Sequence, residues 1–222
     1  MITSSFASIL NADKGQTWPE HTYTEADWNP ITLEEATKTP AHGYRASKTF
    51  AEKAAWEFLE KERPNFTLST ANPPMVFGPI VHYLNSLDAL NTSNARIRDM
   101  LRGEYKNGLP DTGTYIWTDV RDLALAHVKQ IELPEAAGKR FFITAGYFSN
   151  ERIADIIRTN FPEYKDKLPE PNPNGPGDFP NGTEKSLYKY DNKRTREVLG
   201  IEFRSLEESI MDLVKSLKAV GI

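Results

Sequence analysis

"YRASKTFAEKAAWEF", residues 44–58, carries apolar side chains at helical spacing, and the direction in which this helix faces decides how the rest of the chain is read. Positions 44, 48, 51, 55 and 58 share one face of a 3.6-residue helix. Ala51, Ala55 and Phe58 are core-type residues, so this face is expected to turn inward. Glu52, Lys53, Glu57 and Glu60 fall toward other faces and are expected in solvent. Tyr44 and Lys48 therefore stand on the apolar stripe. A lysine one turn after a tyrosine on such a stripe calls for a reason beyond packing.

The pattern continues on both sides of this helix, which is predicted over 44–62 and stops at Pro64. Before it, "MITSSFASIL" reads as the end of a buried strand, and residues 11–42 are loop-like with a short helix over 32–38. After it, "FTLSTANPPMVFG" is a strand rich in β-formers, broken by Pro73 and Pro74. "TSNARIRDMLRGE" is helical with Thr92 or Ser93 as N-cap. "GTYIWTDVRDLALAHVKQIEL" is a short strand running into a helix capped by Thr118 or Asp119. "GKRFFITAG" is a strand, "NERIADIIRTNF" a helix, 162–182 a proline-rich loop, and helices over 191–199 and 205–219 follow. Strands alternating with helices predict an α/β fold with a parallel sheet. Ligands in such sheets lie beyond the carboxyl ends of the strands. Ser5 and Pro73 stand at such ends, and Tyr44 at a helix start.

Composition narrows the function. The net charge of −4 gives no basic field for a nucleic-acid backbone. No apolar run has membrane-spanning length, and no cationic-then-apolar leader is present. Without cysteine there are no disulfides and no thiolate metal sites, so cytosol is the expected compartment. His21, His42, His82 and His127 lack metal-ligand spacing, and no metal is expected. The expected partner is a small molecule; nothing in the sequence sets an oligomeric state.

The Tyr44/Lys48 spacing alone also fits a tyrosine beside a snorkelling lysine at the surface. Its chemical reading is sharper. A phenol is a poor acid at neutral pH, and an ammonium one turn away favours its ionised form. A serine hydroxyl nearby can hold a carbonyl oxygen while the phenol delivers a proton. Such a constellation suits reduction of an aldehyde or ketone by hydride.

Four stretches then come in one order: "ITSS" after a strand, Y-R-A-S-K opening an alanine-rich helix, "ANPPMVFGP", and "YIWTDVRDLALAH". In that order they resemble the extended short-chain dehydrogenase/reductases. "AEKAAWEFLE", "WNP" before the tyrosine and "LNTSN" after it are most similar to the fungal methylglyoxal and aldehyde/ketone reductases, relatives of plant dihydroflavonol and cinnamoyl-CoA reductases. The resemblance implies the C-terminal part of a Rossmann-type doubly wound sheet with a small C-terminal substrate-binding region. It implies NADPH as cofactor, with NADH left open, and reduction of small carbonyls by a Ser–Tyr–Lys mechanism. Ser5, Tyr44 and Lys48 take the catalytic positions. Tyr44, Lys48, Pro73, Val76 and Ser93 take cofactor positions, and Phe6, Leu10 and Met75 the substrate pocket, where plain core packing is the rival reading. For Asp119, Arg121 and Asp122, capping and ion pairing are the expected roles; for Trp28 and Trp56, packing.

One departure is large. The family binds the pyrophosphate in a glycine-rich turn at a helix N-terminus. This sequence has no G-x-G-x-x-G; Gly175 and Gly177 come nearest, with Pro180 in the third place. The expected organisation is therefore one incomplete NAD(P)-binding reductase domain, with 1–76 and 112–132 as the residual Rossmann portion and 77–111 and 133–222 as the substrate-binding region. By itself the chain is expected to be inactive, with no measurable NADPH binding, and to aggregate or form ill-defined oligomers. Two other functions stay open: a relative acting on nucleotide-sugars or hydroxysteroids, and a non-catalytic remnant that binds a partner.

Overall fold

Thr39 opens the long helix. Its hydroxyl accepts from the His42 N–H at 3.3 Å, and Pro40 follows at the first helical position, where a missing N–H costs nothing. The helix closes at Arg63, whose φ of 46° turns the chain out before Pro64. The computed structural model describes residues 1–15, 17–171 and 179–222. Gly175 and Gly177 lie outside them. In chain order the elements are β1 (Ile2–Thr3), β2 (Thr22–Tyr23), α1 (Pro40–Glu62), β3 (Thr70–Asn72), β4 (Met75–Phe77), α2 (Thr92–Arg102), β5 (Ile116–Asp119), α3 (Val120–Glu132), β6 (Arg140–Phe142), β7 (Gly146–Tyr147), α4 (Asn150–Asn160), β8 (Lys189–Tyr190), α5 (Lys193–Leu199) and α6 (Leu206–Ala219). The α/β pattern read from the sequence is therefore present, with β3 and β4 separated by Pro73 and Pro74.

The chain divides into two compact units. The first comprises 1–74, 122–144 and 188–202; the second 75–121, 145–187 and 203–222. These bounds differ from the expected ones: 133–144 and 188–202 fall in the first unit, and 75–76 and 112–121 in the second. Backbone pairing is the reason. β6 pairs with β3, and β8 with β2, whereas β5 pairs with β4.

In the first unit a parallel sheet runs in the order β1–β3–β6, with Thr70 opposite both Ile2 and Arg140. The β1/β3 ladder continues past the strands. Ser4 N–H donates to the Ala71 carbonyl at 2.8 Å, and Phe6 N–H to that of Pro73 at 2.8 Å. Ser5 is thereby fixed beside Pro73 at the carboxyl ends of β1 and β3. The Phe6 ring stacks on Phe142 at 5.2 Å and meets the edge of Tyr23 at 5.4 Å.

Two expectations about α1 change here. It begins one turn earlier than predicted, so Tyr44 lies in the second turn rather than at the start. Its buried residues are Ala46, Thr49 and Glu52, while Tyr44 and Phe58 are 54% and 50% exposed. The stripe 44–48–51–55–58 is thus the outer face, and Glu52, expected in solvent, is 1% exposed. Buried partners for its carboxylate outweigh the apolar content of the other face.

In the second unit β4 and β5 run parallel and β7 antiparallel to β5. Phe77, Ile97, Met100, Trp117, Phe148, Ile153 and the α6 residues Ile210, Leu213 and Leu217 form its core. Gly78, at φ 131°, follows β4 where a Cβ would come within 2.7 Å of Val120 Cγ1, so only glycine fits there. Asp119 accepts from the Arg121 N–H at 2.7 Å and from its guanidinium at 2.9 Å, and Arg121 also reaches Asp212 at 2.7 Å. This is the capping and ion-pair role expected of these residues. Burial raises the Asp119 pKa, but the Arg121 hydrogen bonds outweigh it and hold the carboxyl below its ordinary value. Expected as an N-cap, Ser93 instead sits inside α2, which Asn91 precedes without a side-chain cap bond.

Candidate functional site

Ser5 leaves β1 in an extended conformation and opens a one-turn 3₁₀ helix over Phe6–Ser8. Its Oγ accepts from the Ala7 N–H at 3.1 Å and from Tyr44 Oη at 3.4 Å. A hydroxyl has two lone pairs and one proton. Both lone pairs are engaged, and the proton has no acceptor among the described residues, so it is free for an incoming oxygen. The 3.4 Å separation is loose for an O–H···O bond, as is common where a reacting atom belongs between the two groups.

Lys48 follows Tyr44 by one turn on the same face, the arrangement in which helical side chains are neighbours. It is half-buried and makes no ion pair or hydrogen bond among the described residues. An ammonium without a protein partner beside an exposed phenol offers donors to a ligand's hydroxyls. The first unit thus brings Ser5, Tyr44 and Lys48 to one helix and the adjoining strand end, with buried Pro73 bonded through its carbonyl to Phe6. Phe6 and Leu10, expected at a substrate pocket, are 2% and 6% exposed. Phe6 is committed to the aromatic cluster with Tyr23, Phe142 and Tyr188, so core packing is what the structure gives it.

In the second unit the remaining three residues form one group. Val76 N–H donates to Ser93 Oγ at 3.2 Å, and the same hydroxyl approaches Met75 Sδ at 3.9 Å. Val76 and Met75 are half-buried, and Ser93 is buried.

Sequence reasoning missed the polar cluster behind Ser5. Glu52 Oε1 accepts from Arg140 Nε at 2.7 Å and Thr70 Oγ1 at 3.0 Å. Its Oε2 accepts from Ser8 Oγ at 2.6 Å, Asn72 Nδ2 at 2.8 Å and Ser4 Oγ. Arg140 donates further to the carbonyls of Glu25 at 2.7 Å and Asp27 at 2.6 Å, and its guanidinium lies 3.8 Å from the Trp28 ring centroid. Burial raises the Glu52 pKa; the Arg140 hydrogen bond and charge, with Ser4 and Ser8, more than offset this and lower it to about 2. A signal for this cluster was present: Arg140 lies in "GKRFFITAG", a strand expected to be buried, and a buried arginine requires an anion.

No family model matches the chain. Among curated proteins, a ketoreductase of Aspergillus niger is 46% identical over 220 residues, which cover 98% of this chain and 61% of that protein. The NADPH-dependent methylglyoxal reductase of Saccharomyces cerevisiae is 35% identical over 220 residues, 98% of this chain and 62% of the relative. Among solved structures, Gre2 of Candida albicans in complex with NADPH is 38% identical with a TM-score of 0.88, covering all of this chain and 64% of that one. The chain therefore spans about three-fifths of the length of the relatives it matches.

Proposed function

We propose that this chain belongs to the extended short-chain dehydrogenase/reductase group and carries the proton-transfer centre of an NADPH-dependent reductase of small aldehydes and ketones. The observation that carries this reading is the Tyr44–Ser5 contact at 3.4 Å, with the partnerless Lys48 one turn along the same helix. Ser5 donates a hydrogen bond to the substrate carbonyl oxygen and holds it in the place where negative charge develops. Tyr44 delivers the proton that completes the alcohol. Lys48 stabilises the phenolate left behind.

The donor set fits the nicotinamide-ribose end of NADPH: Tyr44 and Lys48 face outward, and Lys48 has no competing protein acceptor among the described residues. Pro73, Val76 and Ser93 are assigned to the nicotinamide side of the same cofactor. When bound, NADPH supplies the hydride to the carbonyl carbon. The sequence has no glycine-rich turn to hold the pyrophosphate, which argues for an inactive chain; with Ser5 and Tyr44 in contact, weak binding and low turnover are proposed instead.

NADPH oxidation is the test, followed with methylglyoxal and a panel of small aldehydes and ketones at up to millimolar cofactor. Met75 and the segment 80–91, which exposes Val81 and Tyr83, are assigned to substrate contact. Phe6 and Leu10, buried in the first unit, are not assigned to substrate contact. An apolar surface discriminates by about 1–3 kcal/mol per methylene, so a range of small carbonyls should be accepted. Turnover confined to nucleotide-sugars, or no carbonyl-dependent oxidation at any concentration, would overturn the reading.

Ser5→Ala should lower turnover by about 10²–10³, the usual cost of one oxyanion-type donor, with thermal stability close to wild type. Unchanged kcat in this variant would remove Ser5 from the mechanism.

A further inference from the structure

Glu52 stands two turns after Tyr44 and one after Lys48, rotated from them just far enough to meet the Ser4–Ser8 turn. Its carboxylate takes no part in the chemistry proposed above, yet three other segments of the first unit converge on it. Ser4 and Ser8 flank Ser5 on either side, and both hydroxyls point to Glu52 Oε2. The Ser5 carbonyl is itself held by the Ser8 N–H at 3.0 Å and approached by the Ser8 hydroxyl at 2.7 Å. Asn72, immediately before Pro73, donates to the same carboxylate oxygen and to Ser8 Oγ at 3.0 Å. Arg140 supplies the countercharge from β6.

A buried carboxylate cannot release such donors without being left unsatisfied in a medium of low polarity, so the geometry of the cluster is stiff. On one side of it is the helix that carries Tyr44; on the other is the turn that carries Ser5. We infer that Glu52 and Arg140 are positioning residues, which lock the Ser4–Ser8 turn to α1 and so hold Ser5 Oγ within reach of Tyr44 Oη. This rests on the reading of Ser5 and Tyr44 as the reacting pair, and it predicts a coupling between them that can be measured with neither substrate nor cofactor.

The experiment uses the whole chain labelled with ¹³Cζ-tyrosine, the Tyr44 signal being assigned by its loss in Tyr44→Phe. In the wild-type background Ser5→Ala should displace that signal. In Glu52→Gln, and in the double variant Glu52→Gln/Arg140→Met, Ser5→Ala should displace it no longer. The double variant leaves no buried charge without its partner, so it keeps the test open if Glu52→Gln does not fold. Where turnover is measurable, the double variant should lose about 10-fold to 100-fold in kcat per folded molecule, the effect of a misplaced group, with KM little changed.

An equal Tyr44 displacement by Ser5→Ala in all backgrounds overturns the inference. So does no displacement in the wild type, or a double variant that regains both its melting temperature and full kcat. A wild type that shows the coupling but reduces no carbonyl supports the positioning role and sinks the reductase reading alone.

Discussion

Tyr44→Phe should abolish nearly all carbonyl reduction while leaving the fold untouched. The substitution removes a single hydroxyl, the proton donor, and general acid–base groups of this kind contribute about 10²–10⁴ in rate. Little else depends on that hydroxyl. The side chain is 54% exposed, and its one hydrogen bond, to Ser5, is long. Melting temperature and NADPH binding should therefore stay near wild type, and the whole loss should appear in kcat. Lys48→Ala provides the contrast, since Lys48 is assigned both to the phenolate and to the ribose: kcat falls and the KM for NADPH rises. Equal turnover in wild type and Tyr44→Phe, measured on samples with matching melts, would end the proposed mechanism.

The largest effect on stability is expected at Glu52. Replacing it with glutamine leaves the Arg140 guanidinium buried without its anion, and breaking a buried ion pair from one side costs about 3–5 kcal/mol. Acid should do the same to the wild type. The folded-state pKa is lowered from 4.5 to about 2, so the pair's contribution is complete above pH 4.5 and is lost as pH falls from there through 2. Urea midpoints measured against pH should show wild type well above Glu52→Gln at pH 7, with the two curves drawing together in that acid window. Parallel curves across it would show that the carboxylate's ionisation contributes nothing to stability.

How legible the molecule was in its sequence varies by residue. The strand–helix alternation was readable because turn residues mark its joints: Pro64 ends α1, and Pro73 and Pro74 separate β3 from β4. Ser5 and Tyr44 were found by motif and strand end, and the β1/β3 ladder explains why they meet. The inward face of α1 was misread because periodicity counts apolar side chains and knows nothing of tertiary partners. Glu52 looks like a solvated residue until Arg140, 88 positions away, is placed beside it. Phe6 was ambiguous for a related reason: its aromatic neighbours Tyr23, Phe142 and Tyr188 are gathered from three distant stretches. The division into two units also depends on which strands pair across long intervals, and no local pattern records that.

The wide spacing of the Glu52 partners has a consequence for the time course of folding. Residues 4, 8, 70, 72 and 140 share no local segment, and Ile2 pairs with Thr70, which pairs in turn with Arg140. Two long loops must close before the carboxylate meets its full set of donors, so the cluster cannot nucleate the unit and forms late. Interactions absent from the transition state act on the unfolding rate and leave the folding rate almost alone. Glu52 and Arg140 thereby act as a latch, setting how long an assembled first unit stays closed rather than how fast it closes.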